Sequence, residues 1–139
     1  MRKTITDTSA TINKLTIILG WPEKTLWINR RAGHSYRKEY DAKNRALNEG
    51  CAATLQALNG EPKPNWQGKQ IVMTAIAHKA AKGKYDLDNF HGSLKHFLDG
   101  IAATLGINDS QIAEVRIIKG DVVKGGSVEI TLEVEEYER

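Results

Sequence analysis

The chain has 139 residues, a single cysteine, 40% apolar and 27% charged side chains, and a formal net charge of +3. This length suits one domain around one core, and the composition is that of an ordinary globular protein. No run approaches the ~20 apolar residues of a membrane span, residues 1–14 lack the apolar centre of a secretory signal, and a lone Cys51 excludes an internal disulfide framework. The expectation is a cytoplasmic protein with no membrane partner.

The charge is unevenly placed. Residues 1–84 carry 15 Lys and Arg against 6 Asp and Glu, whereas residues 85–139 carry 5 against 11. A basic half points to a polyanionic partner, although a solvated surface explains the same asymmetry.

Residues 1–12 are polar and rich in Thr and Ser, and read as a flexible arm before a single domain over 13–139. Lys14–Leu19 is a β-rich run closed by Gly20-Trp21-Pro22, and reads as a strand. A basic, aromatic loop follows over 21–35. Residues 36–58 favour helix, with Tyr40, Ala46 or Leu47, Cys51, Thr54, Leu55 and Leu58 at steps of three and four. Gly50 weakens that helix at its middle, and Asn59-Gly60-Glu61-Pro62 ends it. A Pro/Gly connection over 61–68 leads to a strand over 69–78. The lysine-rich stretch "KAAKGK" then leads to "YDLDN". Residues 89–105 carry a helical stripe of Phe90, Leu94, Phe97, Leu98, Ile101 and Leu105. After the loop "GINDSQ", residues 112–118 and 128–134 alternate as strands joined by "KGDVVKGG". The order β-α-β-α-β-β, with two main helices and the last two strands as a hairpin, predicts a compact α/β domain with a mixed sheet.

The stretch Tyr85-Asp86-Leu87-Asp88-Asn89 has two readings. Asp and Asn before a helix are ordinary N-caps, and a carboxylate there complements the helix dipole. The other reading is a metal site. If residues 84–88 are extended, Asp86 and Asp88 point to one side, where two carboxylates repel unless a cation or proton intervenes. Mg²⁺ prefers oxygen ligands and takes a carboxylate or two with water and phosphate. Asp109, in the loop after the helix, is a candidate third ligand if the loop brings the chain back. Lys95, seven residues after Asp88, falls on the same side of a continuous helix, about 10 Å along it. There its ammonium could offset charge on a phosphate; by spacing alone a polar-face lysine is the better reading. His78, His91 and His96 have no H-x-x-x-H spacing. Glu129, Glu133 and Glu135 alternate as solvent-facing residues would. Trp21, Trp27 and Trp66 suit packing or base stacking.

"DLDNFHGSLKHFLDGI", "INDSQI" and "KGDVVKGGSVEITLEV", taken in that order, resemble the RusA-like Holliday-junction resolvases of bacterial prophages and phages. The shared pattern is Asp-x-Asp-Asn, a helical lysine, an Asp-Gly-Ile, an Asp in a loop before a strand, and a C-terminal hairpin. The likeness spans roughly residues 14–135 and is densest over 84–132. It implies metal-binding catalytic aspartates at Asp86, Asp88 and Asp109 and a catalytic lysine at Lys95. The best-known branch places that lysine four residues after the second aspartate; here Phe90-His91-Gly92 lengthens the interval, while Lys95 keeps its four-residue distance to Asp99. The loop "INRRAGHSYR" resembles a family segment and marks Asn29, Arg30, Arg31, His34 and Arg37 as DNA contacts, beside the basic Lys82 and Lys84.

The resemblance implies a Mg²⁺-dependent endodeoxyribonuclease, with Mn²⁺ as a substitute. It would cut four-way junctions by paired symmetric nicks in recombination and repair, and leave ligatable 5′-phosphate ends. Two symmetric cuts suit a two-fold homodimer. The expected place is the nucleoid of a bacterial or phage-infected cell. The alternatives are a nuclease of the same fold acting on flaps or other branched DNA, and a non-catalytic DNA-binding protein.

Overall fold

The computed structural model describes residues 12–27 and 36–135. The arm expected over 1–12 therefore lies outside the described residues, except for Ile12. Four strands and three helices appear in the order β1 (Lys14–Leu19), α1 (Tyr36–Leu58), β2 (Ile71–His78), α2 (Leu87–Ser93), α3 (Lys95–Leu105), β3 (Ile112–Lys119) and β4 (Ser127–Val134), with short 3₁₀ turns at Lys24–Leu26 and Asp109–Gln111. This is the expected α/β class with a mixed sheet.

The strands lie in the order β1-β4-β2-β3. Alternation decides which face is covered. Leu15, Ile17 and Leu19 of β1, Ile71, Met73, Ala75 and Ala77 of β2, and Val128, Ile130, Leu132 and Val134 of β4 are buried. They share one side of the pleat, with Phe90, Leu94, Phe97, Ile101 and Leu105 of the helices as the rest of the core.

The expected C-terminal hairpin is not formed. β2 lies between β3 and β4, parallel to β3 and antiparallel to β4. The helical crossover from β2 delivers β3 parallel, as such connections do. Residues 120–126 then cross the end of β2, where Gly120 N–H donates to Ala77 C=O (2.8 Å) and Val123 N–H to Lys79 C=O (3.0 Å). A connection of this length is no tight turn, and β2 gains a neighbour on both sides.

The single helix expected over 89–105 is two helices meeting at Leu94 (φ −88°, ψ −8°). Leu94 N–H bonds to His91 C=O at 3.1 Å, a tightened i→i+3 turn. Ser93 Oγ, buried, donates to Phe90 C=O and competes for the helix's own acceptor. Lys95 therefore opens α3, and does not ride two turns up the helix that Asp86 caps.

On α1 the buried row is Ala42, Ala46, Gly50, Thr54 and Leu58. Tyr40 and Leu55, expected on the inner stripe, are about 60% exposed. Small residues face inward because α1 crosses α3 at backbone contact. A Cβ on Gly50 would sit 2.2 Å from Phe97 O, and one on Gly100 2.1 Å from Leu47 O.

Candidate functional site

The stretch Tyr85–Asn89 sits at the end of the sheet where β1, β2 and β3 finish. Phe90, fully buried, stacks on Trp21 at 5.3 Å, and Tyr85 meets the same indole edge-on at 5.6 Å. Trp27 completes the cluster, 6.2 Å from Phe90. Trp21 and Trp27 thus serve packing, as does Trp66, which is 2% exposed and donates Nε1–H to Ile12 C=O. Two aromatic anchors, at residues 85 and 90, hold the intervening acidic turn.

Within that turn the helix cap is realised. Asp86 is extended (φ −92°, ψ 125°) and its Oδ1 accepts the Asp88 backbone N–H at 2.8 Å. Asp88 is already helical, in the first turn of α2, so the extended same-side geometry holds for Asp86 but not for Asp88. Capping uses one oxygen. Among the described residues, Asp86 Oδ2 and the carboxylate of Asp88 accept no hydrogen bond. Both residues are exposed.

Two cations approach the ring of Tyr85, which precedes this turn. Lys119 Nζ lies 4.7 Å and Lys79 Nζ 5.8 Å from the centre of the Tyr85 ring, a cation–π distance. Neither was singled out in the sequence. The signal was the strand pairing, because parallel β2 and β3 set Ala77 beside Lys119 and so bring their ends together. Lys82 and Lys84 are exposed on the loop between. Burial raises the Tyr85 phenol pKa, keeping it neutral.

Lys95 and Asp109 meet elsewhere. They line one cavity of about 420 Å³ with His91, Asp99 and Asn108 at its polar rim and an apolar floor that includes Met73, Ile101 and Leu132. Lys95 Nζ is 3.4 Å from Asp99 Oδ2. Asp109 is set by its neighbours: Asn108 Oδ1 accepts the Ser110 N–H, Gln111 Oε1 accepts the Asn108 N–H, and Gln111 Nε2 donates to the carbonyls of Trp66 and Lys69. The sequence reading missed His91, Asp99 and Asn108 as rim residues; only the break at Leu94 turns them toward one space.

The described residues do not form one constellation. Tyr85 touches the finishing ends of the strands, whereas Asp109 precedes Ile112, which pairs with Ile71 at the start of β2. The two turns therefore lie toward opposite ends of β2, although His91 and Gly92 of α2, the helix that Asp86 caps, line the cavity with Asp109. Among the described residues no three His, Cys, Asp or Glu side chains are grouped to hold a metal ion. The all-carboxylate donors of Asp86 and Asp88 do fit a hard divalent cation, which needs no more than one or two of them. Asn29, Arg30, Arg31 and His34 lie outside the described residues. Arg37, exposed, is in the first turn of α1. His78 and Glu129 pair across β2 and β4 at 3.7 Å, and His78 Nδ1 is 2.9 Å from Asp121 C=O, a structural use for both. Among the described residues no helix is long and apolar enough to cross a membrane.

No protein-family model matches the chain, and no curated protein matches it.

Proposed function

We propose that the protein is a Mg²⁺-dependent, structure-selective DNA endonuclease that resolves four-way junctions by paired nicks. The observation that carries this reading is the Asp86–Asp88 pair, exposed and held between the Tyr85 and Phe90 anchors, with Lys79 and Lys119 against the Tyr85 ring. In a nuclease the carboxylates that hold Mg²⁺ must meet a phosphate, and nearby ammonium groups supply the opposite charge that draws it in. The sequence resemblance to RusA-like resolvases supplies the junction as substrate and gives roles to Asp109 and Lys95.

In this reading Asp86 and Asp88 hold the cation, while the cap bond on Asp86 Oδ1 fixes that carboxylate's rotamer. The cation's contribution is to polarise the phosphoryl oxygen and assist an in-line displacement. Lys79, Lys82, Lys84 and Lys119 bind the backbone. The resemblance gives Lys95 the part of offsetting charge that develops on the phosphate, which requires the cavity rim where it stands with Asp109 to face the cut strand. Asp109 belongs with Lys95 in the cavity.

The realised cap gives the second reading its footing: a DNA-binding protein without catalysis, in which Asp86 only starts a helix. One gel assay separates them. A labelled synthetic four-way junction is incubated beside linear duplex and flap substrates, with and without Mg²⁺. Paired nicks on the junction alone, requiring Mg²⁺, are expected. Binding without cleavage supports the second reading, and cleavage mainly of flaps supports a nuclease of other specificity.

A further inference from the structure

β3 is the outer strand of the sheet, and among the described residues no strand pairs with its far edge. Natural edge strands are kept short, bent or guarded by unpaired charge, because a row of free N–H and C=O groups invites another strand. β3 runs over Ile112–Lys119 without a proline, its one bulge, at Ala113, lies at the start of the strand, and Val115 and Ile118 beyond it are 41% and 44% exposed. The apolar cavity opens beside Val115. Its outward face carries one acid and one base, Glu114 and Arg116, bonded to each other at 2.8 Å.

We infer that this edge pairs antiparallel with β3 of a second copy, about a two-fold axis through Val115, to continue the sheet across the dimer. A two-fold perpendicular to a sheet keeps each face on its own side, so over the regular part of β3, from Glu114 past the bulge at Ala113, only registers pairing residues of equal parity are allowed. Centring on Val115 sets Glu114 opposite Arg116 of the partner subunit, and Arg116 opposite Glu114 of the partner subunit, giving two attractive cross-strand pairs. Centring on Arg116 would oppose two guanidiniums. Centring on Ile117 would carry Glu114 past the strand end to Gly120. The chosen register also sets Val115 against its own copy beside the cavity, covering apolar surface on both chains. The pairing does not depend on the nuclease reading; it concerns association alone.

The test uses the full chain. In sedimentation velocity over a concentration series, Glu114→Arg should raise the dimer dissociation constant about tenfold or more by opposing like charges at both pairs. The double variant Glu114→Arg/Arg116→Glu should restore it, since the swap is again self-complementary. Separately, in a Cys51→Ala background, Val115→Cys should give an oxidised dimer, because directly opposite Cβ atoms lie within disulfide reach. Ile118→Cys should not. Circular dichroism confirms that each variant is folded. A wild-type protein that stays monomeric, a dimer indifferent to Glu114→Arg, or crosslinking at Ile118 in preference to Val115 would overturn the interface, whatever the DNA assays show.

Discussion

Gly50 and Gly100 lie against each other's helices where α1 crosses α3. Each occupies a place where a single added carbon would fall about 2 Å from a backbone oxygen of the opposite helix: Phe97 O for Gly50, Leu47 O for Gly100. Backbone cannot step aside as a flexible side chain can. The Cys51 thiol donates across the crossing to Gly100 C=O, while Thr54 Oγ1 and Thr104 Oγ1 donate within their own helices to Gly50 C=O and Gly100 C=O.

Gly100→Ala should therefore destabilise the fold by about 2–3 kcal/mol, in the range of overpacked cores. Helix propensity alone predicts the reverse sign, a gain of roughly 1 kcal/mol. Urea unfolding of the variant decides, and a stability at or above wild type would mean that the helices have room to separate.

The same contact explains what the sequence concealed. The strands were legible because β1, β2 and β4 alternate cleanly and end in Gly, Pro or charge. The inner face of α1 was legible in part: Ala46, Thr54 and Leu58 of the expected stripe are buried, but the rest of the row is Ala42 and Gly50 while Tyr40 and Leu55 point outward; size misled where proximity governs. The false hairpin has a similar origin. Adjacent strands in sequence suggest pairing, but nothing local in "KGDVVKGG" says that β2 will come between. In the candidate site, Asp86 as a cap was legible from its tetrapeptide. The split at Leu94 was not, since Gly92 and Ser93 are tolerated within helices and only the buried Ser93–Phe90 bond shows why the turn tightens.

His96 gives a pH prediction. Burial pushes its pKa below the ordinary imidazole value, with Lys43 and Lys95 acting the same way and Asp99 and Glu39 opposing. Asp99 Oδ2 is 3.6 Å from its Nδ1. As pH falls below about 6.5 the unfolded chain takes up the proton first, so the folded state loses stability from that pH down to the lower folded pKa. Above about pH 7 there is no effect. His96→Gln should flatten this part of the stability profile. Urea midpoints at pH 7.5 and 5.5 test it: the wild type should fall further between them than the variant, and equal falls would remove His96 as the source.

Asp88→Asn tests the carboxylate pair. Asp88 is in the first turn of α2, where a negative charge is worth about 0.3–1 kcal/mol, so the variant should remain folded. Under the nuclease reading it should lose cleavage at subsaturating Mg²⁺ and bind junction DNA as well or better, because negative charge is removed from the place a phosphate must occupy. Asp86→Asn should behave likewise while keeping the cap, since Asn caps as well as Asp. Near wild-type cleavage by Asp88→Asn would take that residue out of the site.

Lys95 separates the surface and catalytic roles most sharply. It opens α3, its side chain is 66% exposed, and its ammonium is 3.4 Å from Asp99. As a surface ion pair that contact is worth little, so Lys95→Ala should change stability by no more than about 0.5 kcal/mol. If the ammonium instead offsets charge in the transition state, the single-turnover rate should fall roughly 10²–10³-fold, as when a comparable electrostatic contact is lost. Binding should hardly change, since one phosphate contact among many is a small part of affinity. Lys84→Ala is the control: it lies on the exposed loop before Asp86 and should weaken binding and leave the chemical step alone. The break at Leu94 makes the outcome informative. It detaches Lys95 from the helix that Asp86 caps and seats it with Asp109 at the cavity rim. Full single-turnover activity in a folded Lys95→Ala protein would show that the lengthened interval has carried the lysine away from the scissile phosphate.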